Sequence, residues 1–258
     1  MLSKQLCELW DWKSPTGQIK DISARDLLRS LDNKSLIELP AARWTPRKPG
    51  AGGEKLTYVE HKLVPVNAEL KDIKPIQIKI ASTKNEADLF KSYIRQYHYL
   101  GFDRSVGESM KYFVYGSDGE VLSCVMFGSA AWACKARDEY VGWDKEQRTA
   151  RLTSITNNVR FLILPGVCVP HLASHILGRI ARRISCDWQA KYGHPLYLLE
   201  TFVELDRFRG ICYRAANWRR VGYTSGLGRN STSTSPLLPI KEILVYPICN
   251  DFREKLCS

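Results

Sequence analysis

Apolar residues along this chain change their spacing several times, and each change predicts an element. Leu2, Leu6, Leu9 and Trp10 recur at helical spacing until Ser14-Pro15-Thr16-Gly17 stops the helix. A second helix is predicted from Ser23, with Asp26 as an acidic capping partner, Leu27, Leu28 and Leu31 on one face and Arg25, Asp26 and Arg29 on the other. Asn33-Lys34-Ser35 then turns the chain into a short apolar stretch over 36–40, which reads as a strand followed by the cations Arg43, Arg47 and Lys48. Residues 46–55, rich in Pro and Gly, read as linker, and 56–74 as irregular.

From about residue 75 the period becomes mixed. Ile76, Ile78 and Ile80 alternate as in a strand, and Asn85 to Tyr97 reads as a helix. Strands follow over 111–116 and 120–128, joined by the turn residues Gly116-Ser117-Asp118-Gly119. Residues 129–156 show no clear period. Then come strand 158–164, helix 170–191, strand 196–203, helix 207–217, strand 219–224 and strand 241–247, with a polar loop over 225–239 too poor in apolar side chains to pack.

Helix, turn, helix, short strand and basic continuation in residues 1–45 is the order of a winged helix-turn-helix, a module that places its second helix in the DNA major groove. A small helical cap on the main domain is the other reading. The expected organisation is therefore an α/β chain: a winged helix-turn-helix-like module over 1–45, a linker and irregular segment over 46–74, and a mixed sheet flanked by helices over 75–258.

Composition narrows the partners. Of 258 residues 44% are apolar, which suits a packed core, and no apolar run approaches the roughly 18–20 residues of a membrane span. The first residues lack the apolar stretch of a signal peptide, so a cytoplasmic protein is expected. Eight scattered cysteines without Cys-x-x-Cys and five histidines without zinc spacing imply no metal site, although His171 and His175 stand four apart. In a reducing compartment such cysteines read as small core residues. The net charge of +11 points to an acidic partner such as nucleic acid. Six arginines against one acid between Asp206 and Arg229 sharpen that to phosphate contact, for which Arg219, Arg220 and Arg229 are the candidates.

The order of elements after residue 75 is similar to that of GNAT acyltransferases, and Tyr213-Arg-Ala-Ala-Asn-Trp-Arg-Arg-Val-Gly-Tyr223 resembles their Tyr-x-x-x-Gly-Phe ending. The resemblance implies a cleft where the fourth and fifth strands, here 158–164 and 196–203, part company. It also implies a general acid at Tyr213. The phosphate loop departs from the GNAT pattern: Pro165-Gly166-Val167-Cys168-Val169-Pro170 lacks the second glycine, and Pro170 has no N–H to donate. No cofactor is firmly implied, and this loop argues against coenzyme A. A closer resemblance covers almost the whole chain. His98-Tyr-Leu-Gly101, Ala130-Ala-Trp132, Arg137-Asp138, Gly142-Trp143, Asn158-Val-Arg160-Phe-Leu-Ile-Leu-Pro165, Leu172-Ala-Ser174, Glu200-Thr-Phe-Val203 and Tyr213 to Trp218 resemble the DruA family of Druantia anti-phage defence systems, whose relatives also occur fused to transposases. That likeness implies prokaryotic antiviral defence or mobile-element biology, with DNA and other defence proteins as partners and no settled reaction.

Glu200 stands in an otherwise apolar strand, where an unpaired charge costs several kcal/mol. The fold places it beside the strand carrying Arg160, so those two are expected to meet, either as a buried structural pair or with Arg160 orienting Glu200 as a base. His98 could shuttle a proton or simply end its helix. Cys212 could be a nucleophile, but no activating base is evident and a packing role suits it better. Asn217 could read a base edge or cap its helix. Trp132, Trp143 and Trp218 could stack an unpaired base but suit a core at least as well. Arg137 with Asp138 reads as a further structural pair. Two functions follow: a DNA-binding defence component acting with other proteins, or a GNAT-derived transferase modifying a nucleic-acid base, with acetyl-CoA-dependent N-acetyl transfer less favoured.

Overall fold

The computed structural model describes residues 2–13, 19–40, 59–102, 107–226 and 239–258, and the chain divides into two compact units, Met1–Lys55 and Leu56–Ser258. In the first unit, α1 (Leu2–Leu9) packs on α2 (Asp21–Asn33), with Cys7 and Ala24 buried. Helix α2 starts at Asp21 rather than at Ser23, and no side chain caps it. The strand expected over 36–40 does not form: Leu36 and Ile37 are exposed, and the Leu39 N–H donates to the Asp32 carboxylate at 3.0 Å. A local carboxylate has taken the backbone donor that a ladder would have used. Arg25 is exposed and paired with Asp21 at 2.6 Å. Arg43, Arg47, Lys48 and the side chain of Arg29 lie outside the described residues.

In the second unit, β1 (Val66–Asn67), β2 (Gln77–Ile80), α3 (Lys84–Tyr97), β3 (Ser109–Tyr115) and β4 (Val121–Ser129) come first. Two helices, α4 (Lys135–Val141) and α5 (Lys145–Arg151), fill the stretch whose period was unclear. Then follow β5 (Ile155–Ile163), β6 (Val167–Cys168), α6 (Leu172–Ala181), α7 (Ile184–Tyr192), β7 (Leu198–Glu204), α8 (Ile211–Ala215), β8 (Arg219–Tyr223), β9 (Lys241–Pro247) and α9 (Phe252–Cys257). The single helix expected over 170–191 is broken at Arg182 and Arg183, where the Arg183 guanidinium reaches the Ile78 carbonyl at 2.8 Å. The helix expected over 207–217 is shortened to α8, because Gly210 takes a left-handed φ of 64°.

Seven strands form one sheet in the order β2-β3-β4-β5-β7-β9-β8, antiparallel except for β5 against β7. Alternate residues feed opposite faces. Tyr112, Val114, Val125, Phe127, Leu199 and Val203 pack with α6, α7 and α8 on one side. Phe113, Cys124, Met126 and Leu162 meet α3 on the other, where Ile155, Leu198 and Val245 pack with Val141, Trp143 and α9.

Strands β5 and β7 stay paired over three residues only, Ile155, Thr156 and Asn157 against Leu198, Leu199 and Glu200. Just beyond, the β4–β5 register shifts: Phe127 faces Asn158 but Met126 faces Arg160, leaving Val159 as an extra residue. A bulge bends its strand and increases its twist, so β5 leaves β7 there. This is the parting of the fourth and fifth strands that the GNAT resemblance implied.

The fork also corrects the expected pairing. Arg160 and Glu200 do not meet: Glu200 sits at the last paired rung, whereas Arg160 lies beyond the bulge and donates to the Gly101 and Val159 carbonyls at 2.9 and 2.8 Å. The partner of Glu200 is Arg137, Nη1 to Oε2 at 2.8 Å, with both side chains fully buried. Asp138 braces Arg137 at 2.8 Å and in turn accepts from Trp143 Nε1 at 3.0 Å and Arg148 at 3.1 Å. Burial pushes the Glu200 carboxyl above its ordinary range, and Arg137 and the Ala131 N–H pull it part of the way back. Removing one member of such a pair strands the other charge. Arg137→Ala is expected to lower the unfolding free energy in urea by about 3–5 kcal/mol, and Arg137→Met with Glu200→Leu to restore most of it. A loss under about 1 kcal/mol, the value of an exposed pair, would contradict this role.

Candidate functional site

Where β5 and β7 separate, their facing edges have no strand between them, and a cavity of about 1000 Å³ opens. Its wall comes from the end of α3, the two diverging strands and the segment from Arg207 to Tyr213. The mouth is apolar and aromatic: Tyr99 and Phe208 are 40% and 48% exposed and pack ring against ring at 5.2 Å, with Leu100 and Ile211 exposed beside them. Arg207 lies over the Tyr99 ring at 5.0 Å and is held by Glu204 at 3.1 Å. Arg160, Arg207, Arg209 and Lys241 stand on the wall against one carboxylate, Glu204. In a cleft with low-dielectric walls such an excess concentrates anions.

Of the residues expected to act, His98, Arg160 and Tyr213 are on this wall and Glu200 is not. Burial, with help from the Arg160 charge, pulls His98 down to about 4, so its ring is neutral near pH 7. Its Nδ1 accepts the Leu100 N–H at 3.2 Å. A neutral ring that accepts at Nδ1 carries its proton on Nε2, so His98 offers the cavity a donor and not a base. Tyr213 is nearly buried, its ring edge-on to Phe161 and Trp218, and its hydroxyl donates to Asn158 Oδ1 at 2.5 Å. Burial pushes that phenol up, so the proton is both retained and already engaged. Burial also pushes the Cys212 thiol up, away from the nucleophilic thiolate.

Asn217, Arg219 and Arg220 are exposed and off the cavity wall. Asn217 takes φ 64° just after α8, and the next N–H, of Trp218, returns to the Tyr213 carbonyl at 3.0 Å. That left-handed helix ending accounts for an asparagine there. Arg219 and Arg220 lie on β8, the outer strand of the sheet, where charge also discourages pairing with another chain. Arg229 lies outside the described residues. Trp143 and Trp218 are buried, whereas Trp132 is 64% exposed. The loop before it is held through both backbone groups of one residue: the Ala131 N–H donates to Glu200 at 2.7 Å, and the Ala131 carbonyl accepts from Arg137 at 3.0 Å.

Asn157, Arg207, Phe208, Arg209 and Lys241 were not singled out by the sequence. The arginine density after Asp206 was the available signal, but a helix assignment hid Arg207 and Arg209 in a solvated face. Asn157 is the most telling of these: it lines the cavity, and its Oδ1 is buried without a hydrogen-bond partner. An unsatisfied buried acceptor costs about 1–3 kcal/mol.

At the turn where the GNAT resemblance would place a phosphate, the chain forms a short parallel pair of its own. The chain's own β1 lies along β6, and the Gly166 and Cys168 carbonyls accept from Val66 and Ala68 at 2.9 and 3.4 Å. The groove beside it is lined by the carboxylates Glu69 and Asp72, which repel phosphate. Among the described residues no group of His, Cys, Asp or Glu could hold a metal, and no helix is long and apolar enough to cross a membrane.

Among solved structures, the chain is similar to the spermidine/spermine N-acetyltransferase SpeG of Vibrio cholerae with manganese, at 6% identity and a TM-score of 0.42, over 70% of this chain and 96% of that one. It is also similar to the same organism's spermidine N-acetyltransferase with CoA and spermine, at 7% identity and 0.42, over 67% and 95%. At scores this low the likeness implies nothing about substrate or reaction. No curated protein matches the chain. The family model described as Druantia protein DruA matches residues 30–237, from α2 through the polar loop after β8. Covered over most of its length by that model, the chain belongs to the DruA family.

Proposed function

We propose that this protein is the DNA-recognising component of a Druantia-type defence system, working in the cytoplasm with partner proteins. The observation that carries the reading is the cavity mouth, where Arg207 and Arg209 flank the exposed Tyr99–Phe208 pair and cations outnumber carboxylates. Arginines next to exposed aromatic rings are the combination that holds phosphates and stacks bases. The net charge of +11 adds long-range attraction. The helical pair of the first unit, with exposed Arg25, supplies a second contact in this reading.

A transferase reading is less well supported by the same groups. Glu200 is fully engaged by Arg137 and Ala131, Tyr213 donates to Asn158, and His98 presents a donor. None of them is poised to take a proton from a substrate in the cavity.

Two outcomes test the proposal. In titrations of labelled DNA over a range of salt, Arg207→Ala and Arg209→Ala should each weaken binding and reduce the slope of log K against log salt by roughly one unit. An unchanged slope in the double variant would remove the mouth from the interface. The His98 ring signal in an NMR titration, assigned by its loss in His98→Gln, should have its midpoint at about 4. The lowered value means that the charged ring is disfavoured, so His98 contributes no positive charge to DNA binding between pH 5.5 and 8. A midpoint near the ordinary value of about 6.5 would contradict this.

A further inference from the structure

We propose, resting on the DNA-recognition reading, that the cavity accepts one unpaired nucleotide of a DNA strand, with the base inside and its phosphate at the mouth. Geometry is the first reason. The opening lies between two strands of one sheet, so a duplex cannot enter, whereas a single base swung out of its stack can. At about 1000 Å³ the space stands at the upper end of small-ligand sites, which run from roughly 300 to 1,000 Å³.

The wall chemistry is the second reason. Phe161, Leu162 and Phe202 line the cavity, and Tyr99 and Phe208 stand at its mouth. Aromatic faces of this kind stack any base. Two polar side chains stand on this apolar wall: Asn157, and His98, whose neutral ring can donate through Nε2–H. Base edges pair an exocyclic amine or ring N–H with a carbonyl or ring nitrogen, which calls for one acceptor and one donor side by side. An amide and a neutral imidazole on one wall supply groups of that kind.

Charge is the third reason. Arg207, Arg209 and Lys241 stand where the sugar–phosphate would leave the cavity, and Glu204 fixes Arg207 against Tyr99. A free nucleotide carries the same base and phosphate, so the test separates the two sources.

The full chain is titrated against two labelled duplexes that are identical except for one bulged nucleotide, and separately against a 2′-deoxynucleoside 5′-monophosphate. The proposal expects the bulged duplex to bind at least about tenfold more tightly, in line with stacking of one base. It expects Asn157→Leu to bring that ratio towards one. Phe208→Ala, at a half-exposed position outside the buried core, should lower the ratio too, and keeps the test valid should Asn157→Leu fail to fold. Equal affinity for both duplexes without monophosphate binding overturns the nucleotide cavity and leaves DNA recognition standing. Equal affinity with monophosphate binding that Asn157→Leu abolishes overturns the strand source and assigns the cavity to a free nucleotide. Failure to bind either duplex overturns both readings.

Discussion

Three rungs of parallel pairing between β5 and β7 hold the two halves of the sheet together, and the place where they stop decides the rest of the second unit. The bulge at Val159 turns β5 away immediately afterwards. A sheet cannot separate in this way without exposing backbone edges and interrupting its core, and each consequence is met by a particular residue. Thr201 donates to the Asn158 carbonyl at 3.1 Å across the fork. On the closed side of the fork, Glu200 fills the last rung with a charge that must be matched.

That match draws distant parts of the chain into the fork. Arg137 comes from α4, which stands over the half of the sheet containing β8 and β9, and Asp138, Trp143 and Arg148 complete its surroundings. Buried ion pairs are weak sources of stability but strong determinants of arrangement, because no alternative packing satisfies both charges. Here the pair also fixes the two peptide units that flank Ala131, one through its N–H and the next through its carbonyl, and so sets where Trp132 emerges. Glu200 is therefore better understood as a structural anchor at the fork than as a group in contact with what enters it.

The open side of the fork has a different character. His98 is kept uncharged and the Tyr213 hydroxyl is engaged by Asn158, while Arg207, Arg209, Lys241 and the Tyr99 and Phe208 rings line the space. The turn before α6 is paired with β1, and the carboxylates Glu69 and Asp72 line the groove beside it.

Local rules reached far along this chain. Alternation at Ile78 and Ile80, the turn at Gly116 to Gly119 and the strand over 241–247 depend on neighbours in sequence, and they appear as expected. So does the helical pair of the first unit. Elements whose form depends on distant contacts were not legible. The apolar stretch over 36–40 found no partner strand, α4 owes its place to a buried arginine rather than to an apolar stripe, and Arg207 and Arg209 left the expected helix when Gly210 turned left-handed. By itself the sequence determined that Glu200, a charge in an apolar strand, required a counter-charge. Tertiary structure alone decided which one: the bulge carried Arg160 out of reach, and Arg137, 63 residues away in sequence, was the cation that the folded sheet brought to 2.8 Å.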